Sequence, residues 1–147
     1  MRPLSQQRSH ARRRVLQALY QWELNDADLS EIESQFMARQ DMSKADLSYF
    51  HELLHRIPAV LDVLDAGLAR NLDRELDRLD PIEKSVLRIA AYELEHRVDV
   101  PYRVVINEAV ALTRTFGAEQ GHKYVNAVLD ALALQLRPEE TEASAAG

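Results

Sequence analysis

The spacing of apolar residues along the chain predicts a series of helices, and the clearest lies between Leu79 and Arg97. Asp80 is an N-cap residue, Pro81 suits the first helical position, and Glu83 stands three residues after the cap. Behind this start, apolar residues recur at intervals of three and four, which is typical of a helix with a broad buried face. We therefore predict that this segment is the central helix of the fold. Its apolar stripe consists of Ile82, Val86, Ile89, Ala90 and Leu94.

Three or four helices are predicted before the central one. The first runs from about Ser5 to Leu24, with Arg8, Arg12 and Arg13 on the side opposite its apolar stripe. A short second helix and a longer third helix follow. Pro58 falls near the end of the third, where it either kinks a continuing helix or separates it from a fourth.

Two helices are predicted after the central one. The first begins at Pro101 and ends before Gly117, a residue type suited to the C′ position. The second runs from about Glu119 to Leu136, and Pro138 ends it. The acidic and then alanine-rich residues beyond lack apolar positions to pack, so we expect residues 138–147 to form a disordered tail.

The composition supports an all-α domain and excludes several kinds of chemistry. The 147 residues contain only four glycines, and no stretch alternates β-branched with polar residues. The chain has no cysteine, which excludes disulfides, thiolate metal ligands and cysteine nucleophiles and agrees with a cytoplasmic location. No apolar run approaches the ~20 residues of a membrane span, and the arginine-rich start lacks the apolar core of a signal peptide. We expect no membrane contact.

The charge is unevenly distributed. Residues 1–14 contain five arginines and no acid, whereas residues 15–147 contain 13 Lys and Arg against 24 Asp and Glu. A basic segment on an acidic body favours a nucleic-acid partner, because arginines on one helix present a fixed spacing of positive charge. A solvated helix start is the alternative interpretation.

One motif matches a catalytic signature. His51, Glu52 and His55 form H-E-x-x-H, which places two zinc-ligating imidazoles on one helix face beside a carboxylate. A zinc protease also needs a third ligand and an edge strand for its substrate, and the only acid at a suitable sequence distance is Glu75. We therefore expect no zinc at His51 and His55. The phosphate-binding and nucleophile motifs are also missing, so we expect no cofactor and no enzymatic activity.

Four segments, in order and spanning most of the chain, resemble the NusB family of transcription antitermination factors. They are ARRRVLQALYQWEL (Ala11–Leu24), LDPIEKSVLRIAAYEL (Leu79–Leu94), VPYRVVINEAVALTRTFG (Val100–Gly117) and HKYVNAVLD (His122–Asp130). The resemblance implies two small helical bundles packed into one compact domain, the first over about residues 1–75 and the second over about 76–137.

The resemblance also implies a function. Members of this family pair with NusE, a small-subunit ribosomal protein, and the pair binds single-stranded boxA RNA in the transcription elongation complex. The result is processive transcription of ribosomal RNA operons. The same fold occurs as a domain of RNA cytosine methyltransferases, but no such domain follows here and that chemistry needs a cysteine. The alternatives are a regulatory helical interaction domain without direct RNA binding and, more distantly, a zinc hydrolase. A homodimer that covers the arginine face also remains open.

The family's functional positions can be matched residue by residue. The resemblance implies RNA contacts at Arg8 and Arg12. Ser9 and His10 stand where relatives can carry arginines, so the basic cluster is shifted here toward Arg13 and Arg14. A second RNA-contacting region matches Phe116, Lys123 and Tyr124, and the partner interface matches Tyr20, Asp77 and Glu83. Three of these residues have a structural alternative. Phe116 continues an apolar stripe, Tyr124 is a candidate core residue beside Val125, and Glu83 is a candidate capping-box carboxylate.

Overall fold

The computed structural model describes residues 2–146, and this part of the chain is all-α, as predicted. It contains eight α-helices and one short 3₁₀ turn, with no strand among the described residues. None of these helices combines the length and the apolar composition that a membrane span requires. The elements are α1 (Leu4–Asn25), α2 (Leu29–Arg39), α3 (Leu47–Ala59), α4 (Leu61–Ala69), the 3₁₀ turn (Leu76–Arg78), α5 (Pro81–His96), α6 (Tyr102–Phe116), α7 (Gly121–Leu136) and α8 (Pro138–Ala146).

The chain divides into two compact units between Val60 and Leu61. We predicted this boundary near residue 75, and it lies earlier because α4 packs against α5. The Arg88 guanidinium donates two 2.9 Å hydrogen bonds to the Asp65 carboxylate, which joins the two helices. Pro58 lies in the last turn of α3, so the segment after it is a separate helix.

The N-terminal unit is built from α1, α2 and α3, each of which contacts the other two. Asp28 and Asp46 accept hydrogen bonds from Ser30 N and Tyr49 N and so cap α2 and α3. The Phe36 and Phe50 rings lie 5.9 Å apart and join these two helices. The largest buried side chains of this unit are Leu16, Ile32, Phe50, Leu53, Leu54 and Ile57.

In the C-terminal unit, α5 contacts α4, α6 and α7, which confirms its predicted central position. Asp80 Oδ1 accepts hydrogen bonds from Ile82 N at 2.8 Å and Glu83 N at 3.3 Å, so the predicted N-cap is confirmed as well. Every residue from Lys84 to Leu94 is buried. A helix enclosed in this way requires its neighbours on several sides, and α5 therefore organises this unit.

Residues 138–146 form α8 and are not the disordered tail that we predicted. The cause is Arg137, whose side chain is only 6% exposed. Its guanidinium donates to the carbonyls of Glu93, Leu94 and Arg97 at 2.9–3.0 Å. These acceptors belong to the last turn of α5 and its cap. Glu93 O and Arg97 O also accept from backbone amides, so the guanidinium adds a second donor to each of them. A further hydrogen bond of 2.9 Å reaches Val100 O in the α5–α6 connection.

Glu140 completes this arrangement from the first turn of α8. Its Oε1 accepts from Arg137 at 2.7 Å, and its Oε2 accepts from Tyr102 N at 2.8 Å, the start of α6. Burial raises the pKa of Glu140, but the hydrogen bonds from Tyr102 and Arg137 outweigh it and hold the pKa below the ordinary value. One ion pair thus fixes the ends of four helices.

We expect Arg137→Met to destabilise the protein by about 3 kcal/mol, because it removes the five hydrogen bonds of a buried guanidinium and leaves the Glu140 carboxylate without its ion-pair partner. Thermal and urea unfolding measure this loss. Arg114→Met is the control, since Arg114 is exposed on α6 and surface changes of this kind are nearly neutral. Equal stability of the two variants would mean that water satisfies the acceptors of these hydrogen bonds as well as the guanidinium does.

Candidate nucleic-acid and partner interface

Two of the predicted RNA-binding arginines stack on one aromatic ring in the N-terminal unit. The guanidinium carbons of Arg8 and Arg12 lie 4.6 and 5.5 Å from the Tyr49 ring centroid, within cation–π range. Arg8 Nε also lies 4.0 Å from Asp46 Oδ2. Arg12 is only 2% exposed, so the prediction that it lies on the outer side of α1 is wrong. Its position is explained by Tyr49, which gives the guanidinium an aromatic face to pack on.

Four cations act electrostatically on His10, and we define them as the α1 basic patch: Arg2, Arg13, Arg14 and Lys44. Burial lowers the pKa of His10, and the positive charges of all four residues lower it further. The sequence predicted Arg13 here, and it is exposed. Lys44 comes from the α2–α3 connection, which sequence patterns did not connect with α1. The arrangement produces a local positive potential at the start of α1.

Arg14 is held in place by the neighbouring connection. Its guanidinium donates to Gln17 Oε1 at 3.0 Å, Gln40 Oε1 at 3.1 Å and the Asp41 carbonyl at 3.2 Å. These bonds join α1 to the segment that carries Lys44. Arg13 is thus the more accessible of the two adjacent arginines.

In the C-terminal unit, Tyr124 belongs to a small polar cluster. Its hydroxyl donates to Asp73 Oδ1 at 2.9 Å, and the Arg74 guanidinium lies 4.8 Å from its ring centroid. Arg74 donates in turn to both oxygens of Asp73, at 2.7 and 3.2 Å. These hydrogen bonds, from Arg74 first and then Tyr124, lower the pKa of Asp73 to about 2. Tyr124 is half-buried, so its ring has both a structural contact and an accessible part.

The other predicted residues of this unit lie at the α6–α7 turn. Lys123 is exposed and Phe116 is half-buried at the end of α6. Gly117 follows as the C-cap residue, with an extended backbone of φ −93° and ψ −178°. Glycine is needed there, since a Cβ would lie 2.8 Å from the Thr113 carbonyl oxygen. Gln120 adopts the left-handed region, with φ 71°, immediately before α7.

The three predicted partner-binding residues are exposed to different degrees. Tyr20 is half-buried on α1, in the N-terminal unit. Asp77 is exposed in the 3₁₀ turn, and Glu83 is half-buried in the first turn of α5. Asp77 and Glu83 thus stand on either side of the Asp80 cap and give this end of α5 three carboxylates.

Glu83 occupies a tight position. A Cβ at Gly121 would collide with its carboxylate, so glycine at the first position of α7 leaves room for it. Burial raises the pKa of Glu83, the charge of Asp80 raises it further, and Arg74 opposes this effect. Asp80 performs the N-cap role, and Glu83 is a partly desolvated carboxylate next to another carboxylate.

The H-E-x-x-H motif lies on α3 and faces an acid from α2. Glu33 Oε2 lies 2.6 Å from His51 Nδ1, and Glu33 Oε1 lies 3.1 Å from His55 Nε2. Burial raises the pKa of Glu33, but the bonds from both histidines lower it to below the ordinary value. Our premise that a third ligand is missing is therefore wrong, because the sequence search considered Glu75 and not Glu33.

Sequence reasoning missed five residues that complete these clusters: Tyr49, Lys44, Asp73, Arg74 and Glu33. Each comes from a different segment than the predicted residue beside it, so no spacing within one helix could identify it. For Tyr49 the sequence did carry one signal. Its position three residues after the N-cap Asp46 places it in the first turn of α3. Helix packing, which sequence periodicity does not specify, decides the rest.

Comparisons with known proteins agree with the resemblance. The family model described as "NusB family" matches residues 9–134. A transcription antitermination protein NusB from Alcanivorax borkumensis is 55% identical over 130 residues, which cover 88% of this chain and 87% of the relative. One from Marinomonas sp. is 52% identical over 141 residues, which cover 95% of this chain and 81% of the relative.

Solved structures show the same fold. NusB of T. maritima superimposes with a TM-score of 0.78 at 29% identity, covering 96% of this chain and 98% of that one. A chain from a crystal structure of the antitermination factors NusB and NusE in complex with double-stranded RNA gives a TM-score of 0.70 at 23% identity, covering 86% of this chain and 96% of that one. With a family match over most of its length and relatives about half identical to it, the chain belongs to the NusB family.

Proposed function

We propose that this protein is a non-enzymatic transcription antitermination factor that binds boxA RNA together with NusE. The observation that carries the proposal is the α1 basic patch, which concentrates positive charge on a protein whose formal net charge is −6. The family relationship supports it, and a solved relative of the same fold is in complex with NusE and RNA. Action in the elongation complex on ribosomal RNA operons follows from the same relationship.

In the N-terminal unit, we assign the phosphate contacts to exposed cations and the positioning to buried ones. Arg13 is free of the buried stack and suits a direct phosphate contact. Arg8 and Arg12 share the Tyr49 ring, which orders them before RNA arrives. An ordered guanidinium loses less conformational entropy on binding, so this stack favours affinity without adding charge.

In the C-terminal unit, we assign RNA contacts to Lys123, Tyr124 and Phe116. Single-stranded RNA offers phosphates to cations and unstacked bases to aromatic rings. The Tyr124 ring is oriented by its hydroxyl bond to Asp73, and one of its contacts is with Arg74. An RNA base would stack on a ring that is already oriented, and exposed Lys123 would neutralise a phosphate.

The acidic body limits how tightly this chain alone can bind RNA, since residues outside the first 14 repel a phosphate backbone. We assign Tyr20, Asp77 and Glu83 to the NusE interface, where carboxylates suit a basic partner. A basic partner would cover part of the acidic surface and add its own phosphate contacts. RNA binding should therefore be weak for this chain alone and tight with NusE.

Salt dependence tests the RNA contacts. For single-stranded RNA, log K falls with log salt by about 0.7 per neutralised phosphate. We expect Arg13→Ala and Lys123→Ala each to flatten this slope by about 0.7, and the double variant by about twice that. Fluorescence anisotropy of a labelled boxA RNA with NusE present, measured over a range of salt concentrations, gives the slopes.

Arg56→Ala is the matched control, because Arg56 is also exposed in the N-terminal unit but lies two helical turns beyond Tyr49 on α3. Its slope should equal that of the unaltered protein. An unchanged slope in Arg13→Ala would remove the α1 basic patch from the RNA interface. An unchanged slope in Lys123→Ala would remove α7 from it.

Glu83→Gln tests whether this carboxylate serves the partner at the expense of stability. The raised pKa means that the charge opposes folding at neutral pH, so the variant should be more stable there. The gain in the free energy of unfolding should be complete above the folded-state pKa of Glu83. It should disappear as the pH falls below the ordinary pKa of 4.5. The same variant should bind NusE about tenfold more weakly, because one carboxylate is lost from the interface. Thermal unfolding across pH and NusE titration measure the two effects.

Glu95→Gln is the control on the same helix, since Glu95 is exposed near the opposite end of α5. It should leave NusE affinity unchanged. Normal NusE binding by Glu83→Gln would remove Glu83 from the interface. A variant less stable than the unaltered protein at neutral pH would contradict the unfavourable burial of this charge.

A further inference from the structure

Three metal-binding side chains converge on the surface of the N-terminal unit. Glu33 projects from α2, and His51 and His55 project from one face of α3. One ligand atom from each lies within 4.8 Å of the other two. The His51 ring is 63% exposed, whereas the His55 and Glu33 side chains are mostly covered. The cluster is therefore open to solvent on the His51 side.

Packing beneath the cluster holds its backbone positions. Ile32, next to Glu33, is buried, and so are Leu53 and Leu54 between the two histidines. The Phe36–Phe50 contact fixes α2 against α3 within the same unit. The His51 and His55 rings lie 4.4 Å apart, as expected for neighbours at i and i+4. Rigid elements therefore present all three side chains from the same two helices, which favours preorganised metal binding.

The ligand set and its spacing fit zinc. Two imidazole nitrogens and one carboxylate form a common three-residue zinc set, with a fourth position for water. Bonds of 2.0–2.2 Å in a tetrahedron place neighbouring ligand atoms roughly 3.3 Å apart. The two nitrogen–oxygen distances here, each to a different oxygen of Glu33, are 2.6 and 3.1 Å, and one ligand atom from each residue lies within 4.8 Å of the others. A small rotation of the exposed His51 side chain would open the shorter one enough to admit the ion.

We propose that Glu33, His51 and His55 bind one Zn²⁺ ion, which joins α2 to α3. A protease role does not follow, because residues 2–146 provide no strand to align a peptide substrate. The ion would act as a structural clip, since binding to the folded state alone stabilises that state. The proposal concerns a site within the N-terminal unit and is independent of RNA or NusE binding.

Zinc titration of the full-length protein after chelator treatment and dialysis tests the proposal. We expect one Zn²⁺ per chain, measured by competition with a chromogenic chelator, and a rise in Tm of about 3 °C or more at saturating zinc. Glu33→Gln and the double variant His51→Gln/His55→Gln should each lose at least tenfold in affinity and lose the Tm rise. Circular dichroism checks that both variants are folded.

The chain offers a matched control in His96→Gln/His122→Gln, which removes two other histidines and leaves the cluster intact. This variant should bind zinc as the unaltered protein does. If folding is impaired in the double variant, His51→Gln alone provides the test, because that side chain is largely exposed. The proposal is overturned by undiminished zinc affinity in Glu33→Gln, by equal losses in the control, or by absence of binding at micromolar zinc.

Discussion

The C-terminal unit depends on one buried guanidinium at the place where α5 ends. A helix terminus leaves carbonyl oxygens without donors, and a buried terminus cannot rely on water to satisfy them. Arg137 donates from the end of α7 to the carbonyl of Leu94, and it adds a second donor to those of Glu93 and Arg97, which also accept from backbone amides. Its charge is balanced by Glu140, which also accepts a hydrogen bond from Tyr102 N at the start of α6. Because α5 is the helix that its neighbours pack on, this ion pair secures the frame that presents the C-terminal candidate sites.

The sequence was sufficient for features governed by local periodicity and capping. Asp80 and Pro81 predicted the start of α5, and the apolar spacing predicted its burial. It was insufficient where one residue acts on a distant segment. The tail after Pro138 has no apolar stripe of its own, yet Arg137 and Glu140 order it through contacts with α5 and α6. Similarly, the pattern of α1 assigned Arg12 to the solvent side, because it contains no information about Tyr49 on α3.

The candidate sites also combine residues that the sequence could identify with residues that it could not. Family positions identified Arg13, Lys123 and Glu83 by their place in matching segments, and the structure leaves the first two exposed. The residues that tune these positions come from other elements, as Lys44 does for α1 and Asp73 for Tyr124. A second pattern is that a charged side chain can occupy a position where its ionisation lowers the stability of the fold. Glu83 is the clearest case, since burial and Asp80 both oppose its ionisation while Gly121 leaves space for it. Such a position is understandable if the carboxylate has a partner outside the chain.

Cooperation between RNA and NusE is the central proposition, and a closed binding cycle tests it most directly. The dissociation constant of boxA RNA is measured with and without saturating NusE, and that of NusE with and without saturating RNA, at one salt concentration. We expect NusE to tighten RNA binding at least tenfold, and RNA to tighten NusE binding by the same factor, because coupling free energies are reciprocal. RNA affinity that is equal with and without NusE would contradict the cooperative role of this protein.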